Sequence, residues 1–229
     1  GGEKIPCDEL VGATVSFPFG PPVKGNDRED CLVYRTIEDL EKMKTAATRG
    51  TVGVVVGGGL LGLEAAKALR DLGLETHVVE FAPRLMAVQI DDGAGKILRS
   101  KIAALGVGIH LGKNTTEIVD GETCRHRMNF ADGSHLETDM VLFSAGIRPR
   151  DELARSSGLN VGARGGIEID NDCRTNDTDV YAIGECALWG GRIYGLVAPG
   201  YQMADTAANA IIASEKKKEF AGAEMSTKL

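Results

Sequence analysis

The sequence predicts an α/β fold centred on a parallel, Rossmann-like sheet, from three observations. Residues 52–56 are a β-branched run, Val-Gly-Val-Val-Val, that leads directly into Gly57-x-Gly59-x-x-Gly62. An alanine-rich stretch of helical period follows over about 60–72, and a second β-branched run, 75–80, ends in Glu80. Strand, glycine turn, helix, strand and terminal acid in this order make a βαβ unit whose strands pair in parallel.

Each part of that unit has a chemical reason. Gly57 lets the chain leave its strand in a tight turn, and Gly59 removes the side chain that would hold the backbone away from a pyrophosphate. Gly62 lets the following helix press against the strand. That helix starts at Leu60 and Leu61 and aims its unpaired amides and dipole at the phosphate, so anion binding needs no Lys or Arg. A carboxylate at Glu80 accepts from both hydroxyls of an adenosine ribose and repels a 2′-phosphate, which predicts NADH over NADPH.

The alternation of elements continues downstream. A helix is expected within 91–105 and a strand over 107–111. From residue 114, Thr115–Gly121, Thr123–Gly133 and a third extended run ending in Met140-Val-Leu-Phe143 are separated by Asp-Gly pairs at 120–121 and 132–133. Asp-Gly is a hairpin sequence, so these runs predict a three-stranded antiparallel meander in place of a crossover helix. Ser144-Ala145-Gly146-Ile147-Arg148-Pro149 then reads as a strand leading into a glycine turn; at Ala145 and Gly146 the backbone could approach a ligand, though a plain loop would use the same residues.

The flanks are less regular. Pro18, Pro21 and Pro22 break any long element before a helix at about 36–47, and residues 1–50 read as the end of a preceding segment. Residues 151–170 suggest a short helix and a strand. Val180-Tyr-Ala-Ile-Gly184-Glu185 is a short strand ending in a glycine, against which a cofactor can pack, and a carboxylate, which can accept from a polyol hydroxyl. Ala198-Pro199-Gly200 opens an alanine-rich helix through about residue 213.

Composition narrows the classes. With 43% hydrophobic residues in 229, the chain can bury a sizeable core. A net charge of −7 with scattered basic residues argues against nucleic acid as a partner. Lys216-Lys217-Lys218, flanked by Glu215 and Glu219, reads as a solvated helix end. No run of about 18 apolar residues and no basic-then-apolar leader occurs, so neither a membrane partner nor secretion is expected and the cytoplasm is the default. Cys7, Cys31, Cys124, Cys173 and Cys186 include no Cys-x-x-Cys pair, and His77, His110, His126 and His135 lack metal-ligand spacing, so reduced thiols and no metal site are expected. Cys173 and Cys186 could meet as a redox pair or cluster ligands; buried, inert cysteines are the commoner case.

Taken together, Gly57–Gly62, Ala145-Gly-Ile-Arg-Pro149 and the Thr175 to Glu185 stretch resemble the two-dinucleotide-binding-domain flavoprotein reductases. Val33-Tyr-Arg-Thr-Ile-Glu-Asp-Leu40, Gly57–Glu64, Gly146–Leu153, Gly184-Glu-Cys-Ala187 and Tyr194–Tyr201 are similar, more narrowly, to the assimilatory NAD(P)H nitrite reductase large subunits. The resemblance implies an NAD-binding domain at 51–147 inserted in an incomplete FAD-binding domain formed by 1–50 and 148–215, with 216–229 as a linker. It also implies hydride transfer from NADH to FAD and, in an intact parent serving nitrate assimilation, onward electron transfer to iron–sulfur and sirohaem centres. Gly57, Gly59, Leu60, Leu61, Gly62 and Glu80 would hold NADH, Glu64 would lie near the nicotinamide carboxamide, and Ala145 and Gly146 would line the nucleotide cleft. Gly184 and Glu185 would meet the FAD ribitol, where the wider family has Gly-Asp, and residues 198–203 would cover the flavin ring. The protein mainly positions the two cofactors, so no catalytic side chain is nominated.

Two departures from the family stand out. The glycine-rich βαβ unit that anchors FAD is absent from this sequence, so the chain is expected to be a fragment with half of the flavin site. Val15 also stands where the family has the glycine of Ala-Thr-Gly. A ferredoxin or rubredoxin reductase, an NADH oxidase and a non-catalytic NAD-binding fragment are the alternatives, and a homodimer is among the assemblies the resemblance allows.

Overall fold

The computed structural model describes residues 3–213 and 217–224. The chain divides into two compact units, one built from the residues up to Phe17 together with those from Ile147 onward, the other from Pro18–Gly146. Among the described residues no helix is long and apolar enough to cross a membrane.

The strands β1 (Leu10–Gly12) and β2 (Ser16–Pro18) open the chain, followed by β3 (Cys31–Val33), α1 (Ile37–Ala47), β4 (Val52–Val56), α2 (Leu60–Asp71), β5 (Glu75–Glu80), α3 (Asp92–Ala104) and β6 (Gly108–Leu111). The next strands are β7 (Thr115–Asp120), β8 (His126–Phe130), β9 (His135–Thr138) and β10 (Met140–Phe143). In the Pro18–Gly146 unit a five-stranded parallel sheet runs in the order β3-β10-β4-β5-β6. Both its faces are covered, which is why its strands are nearly continuous apolar runs. Val55, Val78 and Leu142 pack on Met43 and Ala46 of α1 and Leu63, Ala66 and Leu69 of α2. Val54, Val79, Val141 and Phe143 face Ile118, Met128 and Phe130 of the antiparallel β7-β8-β9 meander.

The compact unit extends upstream of the stretch expected at 51–147. The compact unit begins at Pro18, because β3 pairs with β10 from Val141↔Cys31 to Phe143↔Val33 and α1 buries Met43 and Ala46 in the same core. Asp30, buried at 6% exposure, helps tie this segment in by accepting from Arg49 at 2.5 Å and pairing with Arg125 of the meander. The helix α1 starts in a capping box, with Thr36 Oγ1 accepting from Asp39 N and Asp39 Oδ2 accepting from Thr36 N.

The third meander run is also two elements rather than one. It divides at Asp139 into β9, which pairs antiparallel with β8, and β10, which turns into the parallel sheet beside β4. Asp139 Oδ2 accepts from Thr51 N at 2.7 Å and Val52 N at 3.1 Å, and Oδ1 accepts from Arg125 N at 3.1 Å. One carboxylate thus fixes the start of β4 and the meander at the point where the chain changes sheets.

The other unit contains β11 (Ile147–Pro149), α4 (Glu152–Ser156), β12 (Ile167–Ile169), β13 (Val180–Ala182), β14 (Ala187–Trp189) and α5 (Val197–Ile211). Its core gathers Tyr181, Met203, Cys173, Cys186, Tyr194 and Phe220 around the parallel pairs β1-β13 and β12-β14. Phe220 belongs to the stretch expected as a linker, yet it is 2% exposed and meets Trp189 and Tyr194 edge-on at 5.4 and 5.5 Å between ring centroids. Those apolar contacts make residues around 220 part of the core. Lys218 pairs with Asp205, whereas Glu215 and Lys216 of the basic run, and the linker beyond residue 224, lie outside the described residues.

Burial raises the pKa of Asp139, but donation from Thr51, Arg125 and Val52 outweighs it, and the net position is below the ordinary carboxylate value. A depressed folded-state pKa contributes stability above the unfolded value that is lost as pH falls through the folded one. Asp139→Asn is therefore expected to cost about 1–2 kcal/mol at neutral pH and to show a shallower loss of stability in acid. Urea unfolding of both proteins across pH 2–7, analysed by linear extrapolation, checks this.

Candidate functional site

The sheet order places a switch point between β4 and β10. From β4 the connections through α2 and α3 move outward to β5 and β6, whereas β10 and β3 lie on the other side of β4. In open parallel sheets the crevice at such a point, beyond the carboxyl ends of the strands, is where ligands bind. The Gly57–Gly62 turn stands there.

Its glycines are required for different reasons. Gly57 has φ +121°, and a Cβ on it would stand 2.3 Å from the carbonyl oxygen of Ser144 at the end of β10. A Cβ on Gly62 would stand 1.9 Å from the Gly57 carbonyl oxygen, so α2 packs backbone against backbone on the turn. Gly59 has no atom within 4 Å of its missing Cβ: here the glycine keeps the surface open. Gly59 is also the N-cap of α2 and brings no side-chain hydrogen bond, and the first turn has no acidic residue. The amides at Leu60, Leu61 and Gly62 therefore start a helix that no protein side chain caps. By contrast α1 and α3 are capped by Thr36 and Asp91.

Glu80 lies beside this turn in a fixed position. Its Oε2 accepts from Gly58 N at 2.5 Å and its Oε1 from Ala82 N at 2.7 Å. A carboxylate offers about four lone-pair sites, so about two remain for hydroxyl donors. Neighbouring basic side chains are committed elsewhere: Arg84 to the Ala87 and Ile90 carbonyls and Asp92, Lys113 to Asp132 and Ser134. Sequence reasoning missed the segment after β5, which folds back so that Met86 N donates to Gly58 O at 2.8 Å and Leu85 packs against Gly58. Leu85 and Met86 are buried there, and no local motif in the sequence marks them.

Ala145 and Gly146 are exposed just past β10, with Gly146 at φ +105° and open space over its α-carbon. Ser144 N donates to Val56 O, which holds this segment against the turn. Glu64 is exposed on α2 near Tyr34, whose pKa is raised by burial and by the Glu64 carboxylate. Tyr34, just past β3, was not singled out from sequence; its place at the carboxyl end of a parallel strand is visible only once β3 joins the sheet.

In the other unit, Gly184 follows β13 with φ +74° and no atom near its missing Cβ. Its amide donates to Met203 Sδ at 3.3 Å, and a Cβ on Gly200 of α5 would lie 3.5 Å from its α-carbon. The start of α5, like that of α2, has no side-chain cap. Glu185 Oε2 accepts from Ser16 Oγ at 2.5 Å, which orients the carboxylate, and Ser16 was another residue the sequence did not flag. Val15 has φ +65° and is pinned by Arg150 N donating to its carbonyl and Thr14 Oγ1 donating to Arg150 O. The chain thus keeps a left-handed turn at Val15, where a β-branched residue is strained.

Two of the cysteines lie in the core of this unit. Cys173 and Cys186 are both free and buried, the Cys186 thiol facing the Gly12 and Ile183 carbonyls. Burial, with Asp170 and Asp172 nearby, pushes the Cys173 thiol up to about 12. Among the described residues no group of three or more His, Cys, Asp or Glu side chains is arranged to hold a metal ion.

An open backbone surface at a switch point, an uncapped helix and an acid at the end of the second strand are the features of a dinucleotide-binding α/β protein. The chain belongs to the pyridine nucleotide-disulphide oxidoreductase family, which it matches over residues 1–211. It is 61% identical to the nitrite reductase [NAD(P)H] large subunit of Klebsiella oxytoca, over 100% of this chain and 24% of that protein. To the nitrite reductase (NADH) large subunit of Escherichia coli (strain K12) it is 56% identical, over 100% of this chain and 27% of that protein. It spans about a quarter of the length of these curated relatives. Among solved structures, a NAD-dependent persulfide reductase from A. fulgidus matches with a TM-score of 0.85 and 27% identity, over 96% of this chain and 41% of that one. The α/β fold of the two-dinucleotide-binding flavoprotein reductases is thereby shown.

Two substitutions test the backbone reading. Gly62→Ala is expected to destabilise the chain by about 2 kcal/mol or more, since overpacked sites cost roughly 1–3 kcal/mol and the neighbour is backbone. Val15→Gly is expected to relieve left-handed strain, a gain of about 1 kcal/mol after glycine's entropy is offset. Thermal and denaturant unfolding of the purified variants give both values.

Proposed function

We propose that this chain is the NADH-binding and FAD-reducing part of a nitrite reductase large subunit. The observation that carries the reading is the joint geometry of Gly59 and Glu80: an open backbone surface at an uncapped helix start beside a fixed carboxylate. The amides at Leu60, Leu61 and Gly62 would receive the pyrophosphate, and Gly57 and Gly62 shape the turn that presents them. Glu80 would accept from the adenosine ribose hydroxyls, and its charge opposes a 2′-phosphate. Ala145 and Gly146 would pass along the nucleotide, with Glu64 near the carboxamide.

The second unit suits the polyol end of FAD. Gly184 leaves room for it, Glu185 has an oriented carboxylate to accept a hydroxyl, and α5 begins uncapped beside them. Flavin held there would supply an acceptor for hydride and a donor of single electrons. The residues of this chain bind and orient, and no side chain needs to move a proton for that step. The acceptors would be metal centres elsewhere in the parent, with the cytoplasm as its location.

Fluorescence titration of the purified chain with NADH and NADPH tests the first half. NADH is expected to bind more tightly; Gly59→Val should weaken it by at least about 10-fold, or about 1.4 kcal/mol, without lowering the thermal midpoint. Glu80→Ala should narrow the NADH-over-NADPH gap, and an unchanged ratio would remove Glu80 from the ribose. Visible absorbance after incubation with FAD tests the second half: a chain that binds NADH but stays colourless would not itself be a reductase.

A further inference from the structure

The four histidines are scattered in sequence, but the sheet brings two of them together. In the β5-β6 pairing His77 lies opposite Gly108 and Val79 opposite His110, so both imidazoles stand on the meander-side face near the β6 edge. His77 Nδ1 and His110 Nε2 are 3.3 Å apart, with ring centroids at 5.3 Å and planes inclined by 53°. Gly108 makes this possible: a Cβ there would stand 2.0 Å from His77 Nδ1.

The far side of His77 is held as well. Its Nε2 lies 3.3 Å from Glu75 Oε1, one step back on the same face of β5. The Glu75 carboxylate on that side favours a proton on Nε2, the tautomer that leaves the Nδ1 lone pair on the side of His110. A carboxylate behind a histidine is the arrangement that orients imidazole ligands toward a metal. His110 sits on β6 with its Nε2 facing His77 Nδ1 across the strand pair, so the two ring nitrogens converge on one point at the sheet edge.

We propose that His77 Nδ1 and His110 Nε2 form a two-histidine site for a divalent late transition-metal ion, with Glu75 positioning His77 and water completing the shell. A tetrahedral ion about 2.0–2.1 Å from each of two imidazole nitrogens holds them about 3.3 Å apart, which is the observed separation. Imidazole pairs take Zn²⁺, Ni²⁺, Co²⁺ or Cu²⁺ and leave Mg²⁺ and Ca²⁺ to oxygen ligands. The ion would bridge the edge strand β6 to β5, three residues before Glu80, and would act as a clamp on that edge.

Co²⁺ is the probe, because its visible bands report ligand type. Titration of the purified chain near neutral pH is expected to saturate at one ion, with ligand-field bands and no thiolate charge-transfer absorption. His77→Gln and His110→Gln should each abolish the bands. Glu75→Gln should weaken binding about 10- to 100-fold, as loss of a ligand's carboxylate partner does. His135→Gln should change nothing. Circular dichroism and metal-free unfolding of each variant separate loss of the site from loss of the fold; should His77→Gln not fold, His110→Gln on the edge strand and the exposed Glu75→Gln decide. Absence of saturable bands, bands that survive His110→Gln, or thiolate charge transfer would overturn the site.

Discussion

Backbone packed directly on backbone at the carboxyl ends of β4 and β10 is the constraint on which the nucleotide unit depends. Gly57 meets the Ser144 carbonyl, and Gly62 meets the carbonyl of Gly57. These contacts bring α2 down onto the sheet and set its first turn at the switch point, where its free amides converge. A methyl group at either glycine would lift the helix away. The ligand surface at Gly59 is therefore a by-product of close packing immediately on either side of it.

The acidic residues of this net-negative chain do more than keep it dissolved. Asp139 ties three amides across two sheets, Glu137 accepts from the amides of Glu122, Thr123 and Cys124, and Glu80 holds Gly58 and Ala82. Each carboxylate ends up where the chain turns and regular hydrogen bonding lapses. An ionised acceptor makes stronger bonds to such amides than a neutral one would.

Much of this was legible in the sequence. The bounds of β4 and β5 follow from β-branched runs ended by glycine and glutamate, and the Asp-Gly pairs mark the meander turns. What escaped depends on contacts distant along the chain. Residues 18–50 carry no strand signal strong enough to assign three-residue β3 to the central sheet, because its membership is decided by β10 more than a hundred residues later. The division at Asp139 is hidden for a related reason: an extended chain reads the same whether it stays in one sheet or crosses to another. Phe220 reads as an isolated aromatic in a polar tail until Trp189 and Tyr194 are seen around it. At the candidate sites the glycines and acids were visible, whereas Ser16, Tyr34, Leu85 and Met86, which hold or flank them, have no local motif.

The bare starts of α2 and α5 have a thermodynamic consequence. A helix without an N-cap forgoes about 1 kcal/mol that a serine or aspartate would supply, and here two of the longer helices do so. An anion or hydroxyl-bearing ligand that meets those amides would serve as the absent cap. Binding and folding are then linked: the empty chain sits lower on the stability scale, and each occupied helix start raises it in proportion to the logarithm of ligand concentration over its dissociation constant.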